Sequence, residues 1–233
     1  MSDRTEQLRH SLAVVRTRIA AAADAVGRDP DSVTLIVVSK TWPADDVRRL
    51  ADLGVTDVAE NRDQEAVPKV QACADLDLTW HFVGQLQRNK AASVARYADV
   101  VQSVDREALV AALDRGAARA GRRLGALVQV GLDTGADAHR GGCAPVDLPA
   151  VAGAIEDAEH LDLLGLMAVA PLGADPAPAF ARLAGLRDDL VARFPGAEWM
   201  SAGMSGDLEQ AVAAGATHVR VGSAVLGGRP DVR

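Results

Sequence analysis

Aromatic residues are scarce in this chain: 3% of 233 residues, with three Trp, three Phe and one Tyr. Its core has to be built from Val, Leu, Ile and Ala, which the 48% hydrophobic content supplies. Cysteine is scarcer still. Cys73 and Cys143 give no disulfide framework and no metal-ligand spacing, so both read as small core fillers. A surplus of cations is also missing. The net charge is −7 and the pI is near 5.2, which argues against a nucleic-acid surface. No apolar run reaches the length of a membrane span. The charged stretch from Met1 to Arg18 lacks the apolar centre of a signal peptide. A cytoplasmic, soluble protein is expected. No Pro/Ser linker, charge block or repeat divides the chain, so residues 1–233 are read as a single domain.

Lysine is the most informative absence. Of 25 Lys and Arg residues, only Lys40, Lys69 and Lys90 are lysine. Lys40 follows Val33 to Ser39, a run that is mostly apolar and β-branched, as suits a strand buried on both faces. Pro43 then stands where a chain can enter a helix at its first turn. The carboxyl end of a strand is where alternating α/β units place their chemistry. Arginine stays protonated and cannot form a Schiff base, whereas a desolvated lysine can. The plain alternative is a lysine that caps the strand and pairs with a nearby acid.

The rest of the chain alternates. Leu8, Leu12, Val15, Ile19 and Ala22 or Ala23 predict an amphipathic helix over Arg4 to Val26, stopped by Gly27. After the Lys40 strand, further strands are expected at Val55–Ala59, Thr79–Gly84, Val100–Val104, Ala126–Val130, Leu161–Val169, Glu198–Ser201 and His218–Val221. Helices are expected between them: Ala44–Leu53, Gln64–Ala74, one ending at Tyr97, one N-capped by Asp105 and ending at Ala120, one starting at Asp147 or Pro149, Ala177–Phe194 and Asp207–Ala214. The Gly-rich segment Gly131 to Pro145 reads as a functional loop. Eight strand-helix units imply a parallel sheet and point to a closed (β/α)8 TIM barrel with an extra N-terminal helix. An open doubly wound sheet is the alternative.

Two loops complete a candidate site. Met204, Ser205 and Gly206 lie just ahead of the seventh helix of the units, and Gly222 and Ser223 directly follow the eighth strand. Small residues and hydroxyls there suit an anion, and barrels often bind phosphate after strands seven and eight. Arg220, inside the eighth strand, needs a specific partner, and a ligand is one. A lysine amine opposite a phosphate cradle suggests a phosphorylated carbonyl compound. Both a sugar phosphate in a Schiff-base aldolase and pyridoxal phosphate fit. Lys40, Asn61, Ser205, Arg220, Gly222 and Ser223 do not choose between them.

The motifs themselves are recognisable. Val38-Ser39-Lys40-Thr41, Glu60-Asn61-Arg62, the run from Trp80 to Lys90, Leu164-Gly165-Leu166-Met167, Gly203 to Asp207 and Val219 to Ser223 resemble the YggS/PROSC family of pyridoxal phosphate homeostasis proteins. The resemblance spans about Val33 to Gly227. It implies a barrel like the N-terminal domain of alanine racemase, with pyridoxal phosphate (PLP) held as an internal aldimine on Lys40. By motif, Ser205, Gly206, Gly222 and Ser223 would hold the phosphate, Arg220 would face the pyridine nitrogen, and Asn61 would lie beside the ring, with Met204 also among the cofactor-binding residues. It also implies a carrier or regulator of PLP and amino-acid pools, with no catalytic residue assigned. PLP-dependent apoenzymes are the expected recipients, and a monomer is expected.

Weak racemase activity is the alternative, and the residues disfavour it. An arginine at the pyridine nitrogen weakens the ring as an electron sink. A second base is also needed, and the one tyrosine, Tyr97, is placed far from the rim. Departures from the family pattern are Ala59, Asp63, Gln85 and the loop Ala138 to Gly142. His81, inside an apolar strand, reads as a satisfied core histidine.

Overall fold

A computed structural model describes residues 3–132 and 141–228. Eight parallel strands close into a barrel in sequence order: β1 (Thr34–Val38), β2 (Asp57–Glu60), β3 (Thr79–Phe82), β4 (Val100–Val104), β5 (Leu124–Gln129), β6 (Leu161–Met167), β7 (Trp199–Ser201) and β8 (His218–Val221). The helices are α1 (Asp3–Asp24), α2 (Ala44–Asp52), α3 (Asp63–Ala72), α4 (Ala91–Val94), α5 (Glu107–Ala120), α6 (Leu148–Glu156), α7 (Ala177–Arg193), α8 (Leu208–Ala213) and α9 (Ser223–Leu226). The closed barrel, not the open sheet, is the fold. Closure is made by β1 pairing with β8, Ile36 opposite Arg220 and Val37 opposite Val221.

The helix-facing core is aliphatic, as the shortage of aromatics requires. One cluster runs through α4 to α7, and a second joins α1 and α2 to α8 and α9. α1 buries Leu8, Leu12, Val15, Ile19, Ala22 and Ala23, the spacing expected of one helical face. Each fully buried leucine there contributes about 1.5–3 kcal/mol. Arg4, in the first turns of α1, adds a polar clamp. It donates to both Asp46 oxygens of α2 and to Leu226 O of α9 at 3.0 Å, and lies 4.4 Å from the Trp42 ring centre.

Several element ends shift by a residue or two from expectation, and three local differences have a clear physical reason. Asp105 does not cap α5: the flanking residue is Arg106, which turns back to the Asp105 carboxylate and to Leu86 O at 3.1 Å. The helix expected to reach Tyr97 ends at Val94. The chain then tightens through i→i+3 bonds, because Asp99 must return to accept Trp80 N at 2.8 Å and begin β4. The second strand starts at Asp57, not Val55, because β2 takes its pairing from β1 and β3. Of the expected Gly131–Pro145 loop, residues 133–140 lie outside the described residues. The flanks close on β5, Gly131 N to Cys143 O at 2.9 Å and Cys143 N to Gln129 O at 2.8 Å.

Candidate functional site

A cavity of about 580 Å³ opens at the carboxyl ends of the strands. Lys40 and Asn61 line it from the ends of β1 and β2. Met204, Ser205 and Gly206 line it from the turn after β7, with Arg220, Gly222 and Ser223 from β8 and its turn. All eight residues singled out in the sequence therefore meet in one place. The sequence reading missed Trp42, Gln85, Gln129, Met167 and Val169, which also line it. Their signal was position alone, each falling at or just after the end of a strand.

Of the three lysines, only Lys40 faces this cavity. Its loop is held on both sides. Ser39 Oγ donates to Glu60 Oε1 at 2.6 Å, and Ser39 O accepts Lys69 Nζ at 2.8 Å. Lys69 also donates to Glu60, and both side chains are buried. On the other side Thr41 N donates to Glu65 Oε2 at 3.1 Å. Thr41 sits at φ +67°, the one non-glycine residue with positive φ among the described residues. That backbone costs about 1–3 kcal/mol for a β-branched residue, and these anchors hold it. The Glu60-Asn61-Arg62 motif thus acts on Lys40 through Glu60, and Glu65 completes the grip.

Asn61 is set by close approach. A Cβ on Gly84 would lie 2.0 Å from Asn61 O, so β2 and β3 can converge at the rim only with glycine there. On the opposite rim Ser223 Oγ donates to Ser205 Oγ at 3.2 Å, which also accepts Ala224 N at 3.2 Å. Arg18 of α1 braces that turn, donating to Ser205 O at 3.0 Å. α8 and α9 are six and four residues long, so their dipoles sum few peptides. What this rim presents to the cavity is therefore its hydroxyls and backbone N–H groups rather than helix dipoles.

Arg220 is buried, and its partners are neutral: Ser201 Oγ at 2.7 Å and Ala168 O at 2.8 Å. Burial pushes its guanidinium down to about 10, with Asp207 opposing. Two of five N–H donors are satisfied by protein.

His81 is the satisfied core histidine expected, with a partner on each ring nitrogen. Burial raises both cysteine thiols, Cys143 to about 11, as suits fillers. Tyr97 does not line the cavity. Burial, then Asp63 and Glu60, hold its hydroxyl above the usual tyrosine range. Among the described residues no His/Cys/Asp/Glu group could hold a metal ion, and no helix is long and apolar enough to cross a membrane.

A family model for the alanine racemase N-terminal domain matches residues 8–230. Pyridoxal phosphate homeostasis proteins of Mycobacterium tuberculosis and Escherichia coli are 44% and 35% identical, over 97% and 94% of this chain and 95% and 96% of theirs. PipY of Synechococcus elongatus, solved with PLP bound, is 36% identical with a TM-score of 0.82, covering 94% of this chain and all of that one. An alanine racemase of Clostridium difficile shares the fold at a TM-score of 0.75 and 14% identity, over 97% of this chain and 58% of its own. The chain belongs to the family of pyridoxal phosphate homeostasis proteins, built on the barrel of the alanine racemase N-terminal domain.

Proposed function

We propose that this chain is a PLP-binding homeostasis protein that holds the cofactor covalently on Lys40 and serves as its carrier or regulator. The observation that carries this reading is the meeting of Lys40, the Ser205–Ser223 cradle and the buried Arg220 in one cavity. When bound, PLP supplies an aldehyde that condenses with an amine and a pyridine ring that can accept electrons.

The donor set fits that group. Lys40 offers the amine, positioned by the anchored backbone on either side of it. The Ser205–Ser223 pair and backbone N–H groups at Gly206 and Gly222 offer donors for the phosphate. Gly222 leaves room there: an added Cβ would meet Val38 O at 3.3 Å. Arg220 would face the pyridine nitrogen and, being cationic, would keep that nitrogen unprotonated. Asn61 would lie beside the ring, and Met204 belongs to the turn that would hold the phosphate.

Among the described residues Lys40 and Arg220 are the ionisable side chains that line the cavity. The same reading takes residues 1–233 as one barrel acting as a cytoplasmic monomer and passing PLP to PLP-dependent apoenzymes.

The test is the visible spectrum of the purified protein, followed by borohydride reduction and mass mapping. A yellow protein with the reduced adduct on the Lys40 peptide is expected. A protein that stays colourless with added PLP overturns the reading. Sustained interconversion of D- and L-alanine would establish an enzyme instead of a carrier.

A further inference from the structure

Five side chains form one hydrogen-bonded line through the inside of the barrel. Arg220 Nη1 donates to Ser201 Oγ at 2.7 Å, and Ser201 Oγ donates to Gln102 Oε1 at 2.7 Å. Gln102 Nε2 lies 3.0 Å from His81 Nδ1, and His81 Nε2 lies 3.0 Å from Asp57 Oδ1. The five residues come from β8, β7, β4, β3 and β2, so only a closed barrel brings them together.

With a neutral His81 ring, the two ends fix the direction of every bond. A guanidinium can only donate, so the Ser201 oxygen accepts and its single proton goes to Gln102 Oε1. That choice turns the Gln102 NH₂ toward His81 Nδ1, which must accept. The ring proton then sits on Nε2 and points at the Asp57 carboxylate, which can only accept. All donors run from cation to anion. Bonds aligned in this way polarise one another in a low-dielectric interior.

The line also joins two charges. No carboxylate touches the buried Arg220, and Asp207 acts on its guanidinium only at a distance. The hydrogen-bonded line that starts at Arg220 ends on a second carboxylate, Asp57. Asp57 borders a separate hollow of about 570 Å³ at the amino ends of the strands, beside Thr34 and Thr56. Burial would raise its carboxyl, but hydrogen bonds from His81 and Thr56 outweigh burial and hold it below the usual range. The adjacent His218 does not compete as a cation: burial pushes it down to about 4. Apolar side chains flank the line, Ile36 and Ala59 in one cluster and Leu127 and Met167 in another.

We propose that Asp57, His81, Gln102 and Ser201 are positioning residues for Arg220, a through-barrel relay of hydrogen bonds that fixes how the guanidinium meets the cofactor ring. The proposal rests on reading the cavity as a PLP site. It places the control of that contact outside the cavity, at the far end of the barrel.

The experiment loads wild type, Asp57→Asn and Gln102→Met with PLP labelled with ¹⁵N in the ring, and records the ring nitrogen resonance and the rate of PLP loss. Both variants are expected to shift the resonance in the same direction and to lose PLP about tenfold faster, the effect of one hydrogen bond. Leu127→Ala, a core change off the line, controls for general loosening and leaves the resonance in place. An unmoved resonance in both variants overturns the relay, as does an equal shift in Leu127→Ala. The unloaded wild-type protein gives an independent reading through the ¹⁵N pattern of its histidines. His81 with its proton on Nε2 supports the relay, and a proton on Nδ1 overturns it. If wild type takes up no PLP, the cofactor reading fails, and this histidine pattern alone decides the relay.

Discussion

Ser223 Oγ donates to Ser205 Oγ across 3.2 Å, a bond that ties the turn after β7 to the turn after β8. Ser205 Oγ also accepts Ala224 N in the first turn of α9 and so steadies that turn. The Ser223 proton is spent on Ser205, which leaves the Ser205 proton as the donor the pair can offer the cavity. Replacing both, Ser205→Ala with Ser223→Ala, is expected to weaken PLP retention about 10- to 100-fold, since one hydrogen bond to a charged group contributes about 1.5–3 kcal/mol. Dialysis of the loaded double variant, followed at the visible band, measures this. Retention equal to wild type would place the phosphate elsewhere.

Lys40 and Lys69 make a paired test, because both flank the same strand end and differ in what surrounds them. Lys40→Ala is expected to remove the chromophore while changing unfolding stability by about 0.5 kcal/mol or less, as for a rim residue. Denaturant unfolding of the unloaded proteins checks the second half. A variant that fails to fold would make Lys40 structural.

Lys69→Met is expected to behave in the opposite way. It leaves Glu60 buried without its ion-pair partner, a loss of about 3–5 kcal/mol. Burial already pushes the Glu60 carboxyl above its usual range, with Lys69 opposing it. The same unfolding measurement reads the loss. A variant as stable as wild type would show that Glu60 takes up a proton at little cost.

His218 should set part of the acid sensitivity. Its folded-state value of about 4 lies below the ordinary 6.5, so the unfolded chain binds the extra proton first. Stability is then full above pH 6.5 and falls as pH drops toward 4, by about 3 kcal/mol. His218→Phe, which keeps an aromatic ring against Trp199, is expected to flatten the difference across that window. Unfolding free energies of both proteins at pH 4 to 7 decide it. Parallel curves would assign the slope to other groups.

Much of this molecule is legible in one dimension. Strand and helix signals are local, so the apolar run before Lys40 and the stripe from Leu8 to Ala23 could be read directly. The rim residues were legible because strand ends in alternating units share one face. What could not be read is pairing across the barrel. Nothing local in Glu60 names Lys69 or Ser39 as partners, and nothing in Asp57 points to Arg220 four side chains away. Arg4 resembles any surface arginine until α1 lies against α2 and α9. Asp105 shows the converse: a good capping residue by composition, it is drawn off by the arginine beside it.

The β1–β8 seam has a consequence for biosynthesis. Lys40 is translated well before Ser205, Arg220 and Ser223. A nascent chain therefore carries the amine before it has the residues proposed to hold the phosphate, and the two meet only when β8 zips onto β1. On the proposed reading, tight cofactor capture waits for β8. Colour then becomes a readout of completed ring closure.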